Sequence, residues 1–364
     1  MPEESRLKLS VCIAVYNQLE LVKSCLEELL VYQGEDIEIL IGDDFSTENI
    51  AQTIDSLQDH RLRYIRNEQN LGHDLNIVSM LKKCNTNYAF VLRSRDKLFG
   101  HKIPEILRCI EQHSSAAYFA FSALNENQIK SLSFGNNVYL RGSQAAIAHT
   151  KIFVHPSGNL YRISDLDFSI FEAYMTQYFD NNLGFTVHEL IRIALADKGD
   201  FVTSSLLAWQ YTQKAKDIAV NSAPNKISVY APQYQYPRFE CQFMYTSKES
   251  STDVRKIVLP YLIRRFYKSI AFDFYYANND PNMQYHYNYA PIAYSKNEER
   301  KAFRTFSDRL ISKIESPNEC KSLEFVIARE TLLQLTWYPI KKRLISLSKN
   351  NPGITEIARR YKHL

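Results

Sequence analysis

Two adjacent carboxylates, Asp43 and Asp44, come directly after a short apolar run, Ile37 to Ile41. Tyr16 follows an earlier apolar run, Leu9 to Val15, in the same way. Polar and aromatic residues at such positions are candidates for chemistry, because ligands of open α/β sheets bind beyond the carboxyl ends of the strands. One acid could simply cap the next helix, where the helix dipole favours it. Two adjacent acids exceed that need.

A helical pattern separates the two apolar runs. Its apolar residues, Leu19, Val22, Leu26 and Leu29, fall on one helix face. Strand, helix and strand within about 35 residues form a βαβ unit, whose right-handed crossover makes the two strands parallel. Tyr16 and the two acids are therefore predicted to lie at the same edge of a sheet.

The alternation of strands and helices continues through the first 210 residues and predicts an α/β sheet with helices on both faces. The first predicted helix after the acids contains Ile50, Ile54 and Leu57, with Ser46 or Thr47 as its N-cap. Strands are predicted at 62–65, 88–92, 116–122 and 201–207, and helices around 75–81, at 103–110, 164–179 and 186–196.

Composition excludes several classes of protein. The chain has 364 residues, 45% hydrophobic and 23% charged, which suits one large or two medium globular domains. A net charge of +4 is too mild to imply nucleic acid. The six cysteines show no CxxC pair and no metal-ligand spacing, which is typical of a reduced cytosolic protein. Without an apolar signal core or a long apolar stretch, we expect a cytoplasmic chain that does not span a membrane.

The composition changes near residue 212, which predicts domains at 1–212 and 213–364. The second part is rich in Tyr, Lys and Arg and has a helical period, with helices expected at 254–276, 297–314 and 322–346 and a long loop at 277–295. Its basic amphipathic segments allow three alternatives: peripheral contact with anionic lipid, homo-oligomer contacts, or a helical core with a solvated basic face.

Four motifs occur in order along the first third of the chain: AVYN (Ala14 to Asn17), IGDDFST (Ile41 to Thr47), NLGHDLN (Asn70 to Asn76) and YAFVLRSRD (Tyr88 to Asp96). In this order and spacing they resemble a family 2 glycosyltransferase of the type that builds bacterial surface polysaccharides. The resemblance implies the GT-A fold, a Rossmann-like and mostly parallel sheet with helices on both faces, here followed by a C-terminal helical region.

The resemblance also implies a function. It predicts inverting transfer of a sugar, from a nucleotide-sugar such as a UDP-sugar, to a growing surface glycan of the capsule, O-antigen or teichoic-acid type, which a lipid can carry. Tyr16 would flank the base and Asp44 would accept hydrogen bonds from base or ribose. The full predicted nucleotide site comprises Ala14, Tyr16, Asp43, Asp44, Asn70 and Asn76.

The last motif departs from the family. Where the family has three consecutive acids, the last two of which hold Mg²⁺ or Mn²⁺, this chain has Ser94, Arg95 and Asp96, preceded by Arg93. Asp96 alone is a poor metal site, so we expect no cofactor or only weakly bound Mg²⁺ or Mn²⁺. Three alternatives follow. Arg93 or Arg95 binds the diphosphate directly, or the chain is a non-catalytic paralogue that scaffolds an active transferase, or the arginines only pair with nearby carboxylates.

Inverting transfer needs a carboxylate that takes the proton of the acceptor hydroxyl. The resemblance places this base at the start of a late helix, where Glu189 stands beside His188 in TVHELIRIAL. Asp96 is a second candidate catalytic residue. His155 and His188 are candidate residues of the substrate pocket, although a structural role is equally open for both histidines, and Glu189 could be an ordinary first-turn acid.

Overall fold

The computed structural model describes residues 8–152, 155–178, 186–212, 232–279, 296–314 and 317–337. Ten strands are present in these ranges: β1 (Leu9–Val15), β2 (Ile37–Asp43), β3 (Leu62–Arg66), β4 (Tyr88–Arg93), β5 (Lys97–Leu98), β6 (Ala116–Asn125), β7 (Lys130–Leu132), β8 (Asn137–Tyr139), β9 (Asn159–Arg162) and β10 (Asp200–Tyr211).

The α-helices of the same ranges are α1 (Leu19–Leu29), α2 (Ile50–Ser56), α3 (Gly72–Leu81), α4 (Ile103–Gln112), α5 (Ser143–Lys151), α6 (Phe168–Tyr178), α7 (Thr186–Ala196), α8 (Pro232–Glu249), α9 (Thr252–Asn279), α10 (Lys296–Ile311) and α11 (Pro317–Leu332). A π-helical turn, Leu333–Trp337, follows α11.

The ten strands form one sheet in the order β3-β2-β1-β4-β9-β6-β10-β5, with β7 beside β6 and β8 beside β10. The strands β3, β2, β1 and β4 are parallel to one another, and β6 is parallel to β10. The strand β9 lies antiparallel between β4 and β6. The predicted α/β class is confirmed, and its parallel half is the half that carries the four motifs.

The central strands are buried on both faces, which explains why their sequences are mostly apolar. Every residue of β1 and of β2 is buried. The apolar side of α1, made of Val22, Cys25, Leu26 and Leu29, packs into the same core. These contacts fix the strand ends from which the candidate site residues project.

The chain divides into two compact units. The first comprises 1–219 and 241–258, and the second 220–240 and 259–364. The segment 241–258 is held in the first unit by polar contacts: the Ser251 N–H donates to Asp197 Oδ2 (2.8 Å) and the Tyr174 hydroxyl to Glu249 Oε1 (2.9 Å). The sequence-based domain boundary at 212/213 does not assign residues 241–258 to the first domain.

The described part of the second unit is helical, as predicted. Phe266 stacks on Phe239 (ring centroids 4.2 Å apart), and Tyr236 stacks on Phe306 (4.9 Å). Two buried acids, Glu240 and Glu330, are paired with basic groups, Glu240 with Arg309 and Lys313 and Glu330 with Arg264 and Arg329. Part of the basic surface expected here therefore neutralises buried acids.

Two sequence-based expectations need correction. The N-cap of α2 is Asn49, whose side chain accepts a hydrogen bond from the Gln52 N–H, and not Ser46 or Thr47. The helix expected at 322–346 begins earlier, at Pro317, and its α-helical part ends at Leu332. The remainder of that expectation, and most of the predicted loop at 277–295, lie outside the described residues. In the part of the chain that the structure describes, no helix is long and apolar enough to span a bilayer.

Candidate functional site

Three predicted residues follow the ends of neighbouring parallel strands. Ala14 of β1 is paired in register with Gly42 of β2 and with Arg93 of β4. Tyr16 and Asp44 come directly after β1 and β2, and Arg95 lies in the turn after β4. The backbone bonds continue in this region, because Asp44 N–H donates to Val15 O (2.8 Å) and Ser94 N–H to Ala14 O (3.0 Å). The buried Ala14 therefore contributes backbone geometry to the site.

Side-chain hydrogen bonds, among them those of Asn17, join the loops after β1 and β2. Asn17 Oδ1 accepts hydrogen bonds from Thr47 N–H (2.8 Å) and Thr47 Oγ1 (3.1 Å). Asn17 and Gln18 both have left-handed backbones (φ 56° and 67°), and so does Phe45 (φ 64°). These turns leave Tyr16 44% exposed and Phe45 45% exposed. Two open aromatic rings thus border the carboxyl edge of the sheet.

Asp43 is fully buried and used within the protein. Its Oδ1 accepts from Ser46 N–H (2.9 Å) and from the Ser46 hydroxyl, and its Oδ2 accepts from the Tyr64 hydroxyl (2.5 Å) and from Arg66 Nη1 (2.9 Å). Each oxygen already has two partners, so Asp43 holds the end of β2 in place. Its predicted contact with a nucleotide would require one of these bonds to break.

Asp44 is also buried, but its hydrogen bonds are unevenly distributed. Oδ1 accepts from Leu71 N–H (2.7 Å) and Asn67 Nδ2 (3.1 Å). Burial raises the pKa of this carboxyl, an effect that the hydrogen bonds from Leu71 and Asn67 partly offset. Both of these bonds end on Oδ1, and a backbone hydrogen bond from Gly72 also lowers the pKa of the carboxyl. Of the two adjacent acids, Asp44 is the one suited to binding.

The two predicted asparagines have different surroundings. Asn76 is buried, donates to Gly42 O (2.9 Å) and accepts from Asn67 Nδ2 (2.9 Å), so it supports the end of β2. Asn70 is exposed, and its Oδ1 accepts from Gly72 N–H (3.0 Å) at the start of α3. Sequence analysis missed Asn67, whose amide bridges Asp44 and Asn76. Its place directly after β3 was the available signal.

Arg93 and Asp96 form a closed pair in the turn after β4. Arg93 Nε donates to Asp96 Oδ2 (2.8 Å), and Asp96 is 0% exposed. The same carboxylate accepts from the Ser157 hydroxyl (2.5 Å) and from Thr212 N–H (3.0 Å). The interpretation that an arginine pairs with a nearby carboxylate is therefore correct for Arg93.

His155 completes the setting of Arg93. Its Nε2 lies 3.1 Å from Arg93 Nη2 and its Nδ1 lies 3.3 Å from Ser157 O. Because a guanidinium only donates, Nε2 accepts from Arg93. Nδ1 also lies 3.1 Å from the Ser157 backbone nitrogen. Burial, together with the charge of Arg93, lowers the pKa of His155 to about 4, so the ring is neutral at neutral pH.

A divalent metal does not fit this turn. Asp96 has three donors from within the protein and no exposed surface. Across the described residues, no group of three or more His, Cys, Asp or Glu side chains is arranged to hold a metal ion. Mg²⁺ and Mn²⁺ need carboxylate oxygens that remain open to the ion. The basic side chains of this turn are Arg93 and Arg95.

Arg95 differs from Arg93. It is half-buried, and its Nε is buried without a hydrogen-bond partner in the described part of the chain. Burial and the neighbouring Arg93 lower the pKa of the Arg95 guanidinium to about 10, so the side chain remains charged at neutral pH. A buried guanidinium N–H without an acceptor is costly, so Arg95 stays a candidate for binding an anion.

Two histidines meet beside these arginines. His73 Nε2 of α3 lies 3.2 Å from His188 Nε2 of α7, and the Tyr161 hydroxyl lies 2.9 Å from His188 Nδ1. Burial raises the pKa of Tyr161, so the phenol is protonated beside His188 Nδ1. Burial lowers the pKa of His73 to about 3 and also lowers the pKa of His188 well below its ordinary value, so both rings are neutral at neutral pH.

Glu189 and its neighbour His188 project from different sides of α7. Glu189 is 1% exposed, and its Oε2 lies 3.4 Å from His149 Nε2 of α5. Adjacent residues of a helix project about 100° apart. His188 therefore faces His73 and Tyr161, while Glu189 faces α5. The predicted pair is not brought together at one point of the site.

Asp74 is a second residue that sequence analysis missed. Its Oδ2 accepts from Thr186 N–H (2.9 Å) and Val187 N–H (3.4 Å), the first amides of α7. An acid at this position satisfies free helix N–H groups and complements the helix dipole. Asp74 thereby joins α3, which follows the Asp44 loop, to the helix that carries His188 and Glu189.

The comparisons with known proteins agree with this architecture. Residues 10–167 match the family described as "Glycosyl transferase family 2". An "Uncharacterized glycosyltransferase" of Rickettsia felis is 30% identical over 146 residues, 36% of this chain and 23% of that protein. An uncharacterized protein of Mycobacterium tuberculosis is 27% identical over 122 residues, 34% of this chain and 38% of its own. The match thus spans well under half of either relative.

Solved structures extend the likeness to the fold of most of the chain. The crystal structure of S. aureus TarS 1-349 in complex with UDP-GlcNAc matches with a TM-score of 0.59 at 12% identity, over 91% of this chain and 92% of that chain. The corresponding complex with UDP gives a TM-score of 0.55 over 95% and 92%. The fold is GT-A, and the match to the glycosyl transferase family 2 model is confined to residues 10–167.

Proposed function

We propose that this protein transfers a sugar from a UDP-sugar to a growing surface glycan, and that Arg95 takes over the charge-neutralising role that a metal has in the family. The family match supports nucleotide-sugar chemistry. The similar TarS structures contain UDP-GlcNAc and UDP, which supports a uridine nucleotide as the donor's leaving group. An acceptor carried on a lipid, reached from the cytoplasmic face of the membrane, belongs to the same proposal.

The unsatisfied guanidinium of Arg95 carries the proposal. Arg95 lies in the turn that follows β4, the strand that pairs with β1, and its buried Nε has no hydrogen-bond partner among the described residues. A diphosphate offers an acceptor to the buried Nε, and the low local dielectric strengthens the contact. When the glycosidic bond breaks, charge develops on the leaving phosphate, and a fixed cation stabilises that charge.

The neighbouring groups have distinct parts in this proposal. Asp44 accepts from the base or ribose, and the exposed ring of Tyr16 flanks the base. Arg93 is held by Asp96 and His155, so it contributes charge near the diphosphate while its geometry stays fixed. His73 and His155 are neutral, so the positive charge near the diphosphate comes from Arg93 and Arg95.

A second candidate function is that of a non-catalytic paralogue that binds an active transferase. Two observations favour it: Glu189 is 1% exposed, and Asp96 is 0% exposed. A general base must reach the hydroxyl whose proton it takes. The catalytic proposal therefore requires that acceptor binding exposes Glu189 or that another group accepts the proton.

Thermal unfolding with UDP, in the presence and absence of excess EDTA, tests the donor site. We expect UDP to raise the melting temperature and EDTA to leave the increase largely unchanged, because arginine supplies the charge. An increase that disappears with EDTA would reject the replacement of metal by arginine and leave UDP binding intact. Absence of any increase with UDP or other nucleotides would reject the donor site altogether.

Release of UDP from UDP-sugars distinguishes the two candidate functions. An active transferase releases UDP when donor and acceptor glycan are both supplied, and Glu189→Gln should lower kcat by about 100-fold or more if Glu189 is the base. The control is Glu172→Gln, an exposed acid of α6 that pairs with Lys82. UDP binding without turnover on any donor would favour the paralogue.

A further inference from the structure

Two cysteines are in direct contact in the first unit, away from the carboxyl edge of the sheet. Cys12 Sγ of β1 lies 3.4 Å from Cys84 Sγ, which follows the end of α3. The residues are 72 positions apart in the chain. Both are free thiols. The fold, and not the local sequence, brings these two sulfurs together.

The two thiols differ in their access to solvent. Cys12 is 0% exposed, between β2 and β4, which pair with β1 on either side. Cys84 is half-buried, and the two residues before it, Lys82 and Lys83, are exposed. A small reagent in solution can therefore reach Cys84, whereas Cys12 can react only with its neighbour.

We propose that Cys84 is an oxidation site for hydroperoxides and that Cys12 converts the oxidised form into a Cys12–Cys84 disulfide. The Cys84 thiolate attacks the peroxide, the O–O bond breaks, and sulfenic acid forms with release of water or an alcohol. Cys12 Sγ then bonds to Cys84 Sγ as the S–O bond breaks, and the hydroxide leaves with the Cys12 proton as water. Two thiols lose two electrons in total, and the peroxide gains them.

The disulfide would connect the central strand to the end of α3. It closes a loop of about 70 residues, which removes conformational entropy from the unfolded chain. That loop contains Tyr16, Asp44 and the Leu71 amide that supports Asp44. Because the sulfurs are already in contact, the bond needs little backbone movement, so the oxidised protein keeps its fold.

Other cysteines of the described chain provide the controls. Cys109 of α4 is half-buried like Cys84 but has no thiol contact within the described residues. Cys25 is buried like Cys12, in α1. If exposure alone decided the reaction, Cys109 would be oxidised as readily as Cys84. If the sulfur contact decides it, only the Cys12–Cys84 pair forms a disulfide.

Peptide mapping of the full chain after treatment with hydrogen peroxide tests the proposal. We expect a linked peptide pair containing Cys12 and Cys84, a mass loss of two hydrogen atoms, and a melting temperature higher by about 5 °C, reversed by dithiothreitol. Cys84→Ser should abolish the link and the increase, and Cys109→Ser should retain both. Circular dichroism establishes that each variant is folded.

Three results would overturn the proposal. One is oxidation of Cys84 to sulfinic or sulfonic acid while Cys12 remains a thiol. The second is a linked pair that includes another cysteine in place of Cys12. The third is the recovery of both thiols unchanged after peroxide treatment. None of these readouts depends on nucleotide binding or on sugar transfer.

Discussion

Arg93 donates its Nε hydrogen to Asp96 across 2.8 Å, so the last acid of the YAFVLRSRD motif is neutralised by an arginine of the same turn. This pair accounts for the departure from the family pattern, because the Asp96 carboxylate is occupied by a cationic side chain of the same protein. The two arginines therefore have different roles. Arg93 is bound inside the protein, and Arg95, two residues later, has the buried unsatisfied nitrogen.

Asp96→Ala should destabilise the fold. The substitution leaves Arg93 without its carboxylate and leaves Ser157 and Thr212 without their acceptor. Removing one partner of a buried pair costs about 3 kcal/mol or more. Urea unfolding measures the loss, and Asp167→Ala, at an exposed acid, is the control. A loss within experimental error of the control would contradict the assignment of Asp96 to the interior of the turn.

Arg95→Ala should weaken the binding of UDP more than that of uridine. Loss of a charge-assisted contact to phosphate corresponds to a Kd for UDP that rises about 10-fold or more, with little change for uridine. Arg95→Lys should recover part of the affinity through its charge but not the buried Nε contact. Calorimetric titration of each ligand measures the difference. Equal losses for UDP and uridine would contradict the diphosphate role.

Stability should fall as pH is lowered, because His73 is held neutral. Its pKa is lowered to about 3 in the folded protein, whereas an unfolded histidine titrates near its ordinary value of 6.5. Below that value the unfolded chain binds the extra proton, so the free energy of unfolding decreases until the folded pKa is reached. The cost is roughly 1 to 2 kcal/mol between pH 7 and pH 5.

His73→Gln tests this dependence, because glutamine has no charge to gain. Urea midpoints at two pH values should differ less for the variant than for the wild type. The control is His60→Gln, at an exposed ring that pairs with Glu35 on the surface. If His73→Gln and His60→Gln leave the dependence equally unchanged, His73 is not a neutral buried group.

Asp74→Ala should loosen the start of α7. Two amides of that helix would lose their acceptor, at a cost of about 1 to 2 kcal/mol, and Asp74→Asn, which retains one oxygen, should cost less. Hydrogen exchange of the Thr186 and Val187 amides reports the effect locally. Asp55→Ala, at an exposed acid of α2, is the comparison. Unchanged protection of both amides in Asp74→Ala would show that α7 does not depend on this cap.

The parallel half of the sheet could be predicted from the sequence because its central strands are mostly apolar and helical periods separate them. The prediction for β1 matches Leu9–Val15, and that for α7 matches Thr186–Ala196. The helix α5 was missed because its sequence, SQAAIAHTK, has little contrast between its faces. Strands of two or three residues, such as β5 and β7, are too short to show a period.

The candidate site was predictable only in part, for a physical reason. Tyr16, Asp44 and Arg95 follow the ends of neighbouring strands, so they lie at the same edge of the sheet. The motifs alone predict this placement. Which oxygen or nitrogen is already occupied depends on partners that are distant in sequence, such as Tyr64 for Asp43 and Thr212 for Asp96. The same limit explains why Asn67 and Asp74 were overlooked.

The side-chain amide oxygen of Asn17 accepts hydrogen bonds from the Thr47 N–H and hydroxyl, and these bonds affect the entropy of donor binding. The two turns that frame the carboxyl edge are rigid before a donor arrives, so little conformational entropy is lost when one binds. Affinity is then governed mainly by what a donor presents to this edge. Substituting Asn17 would impose an ordering cost on every nucleotide alike.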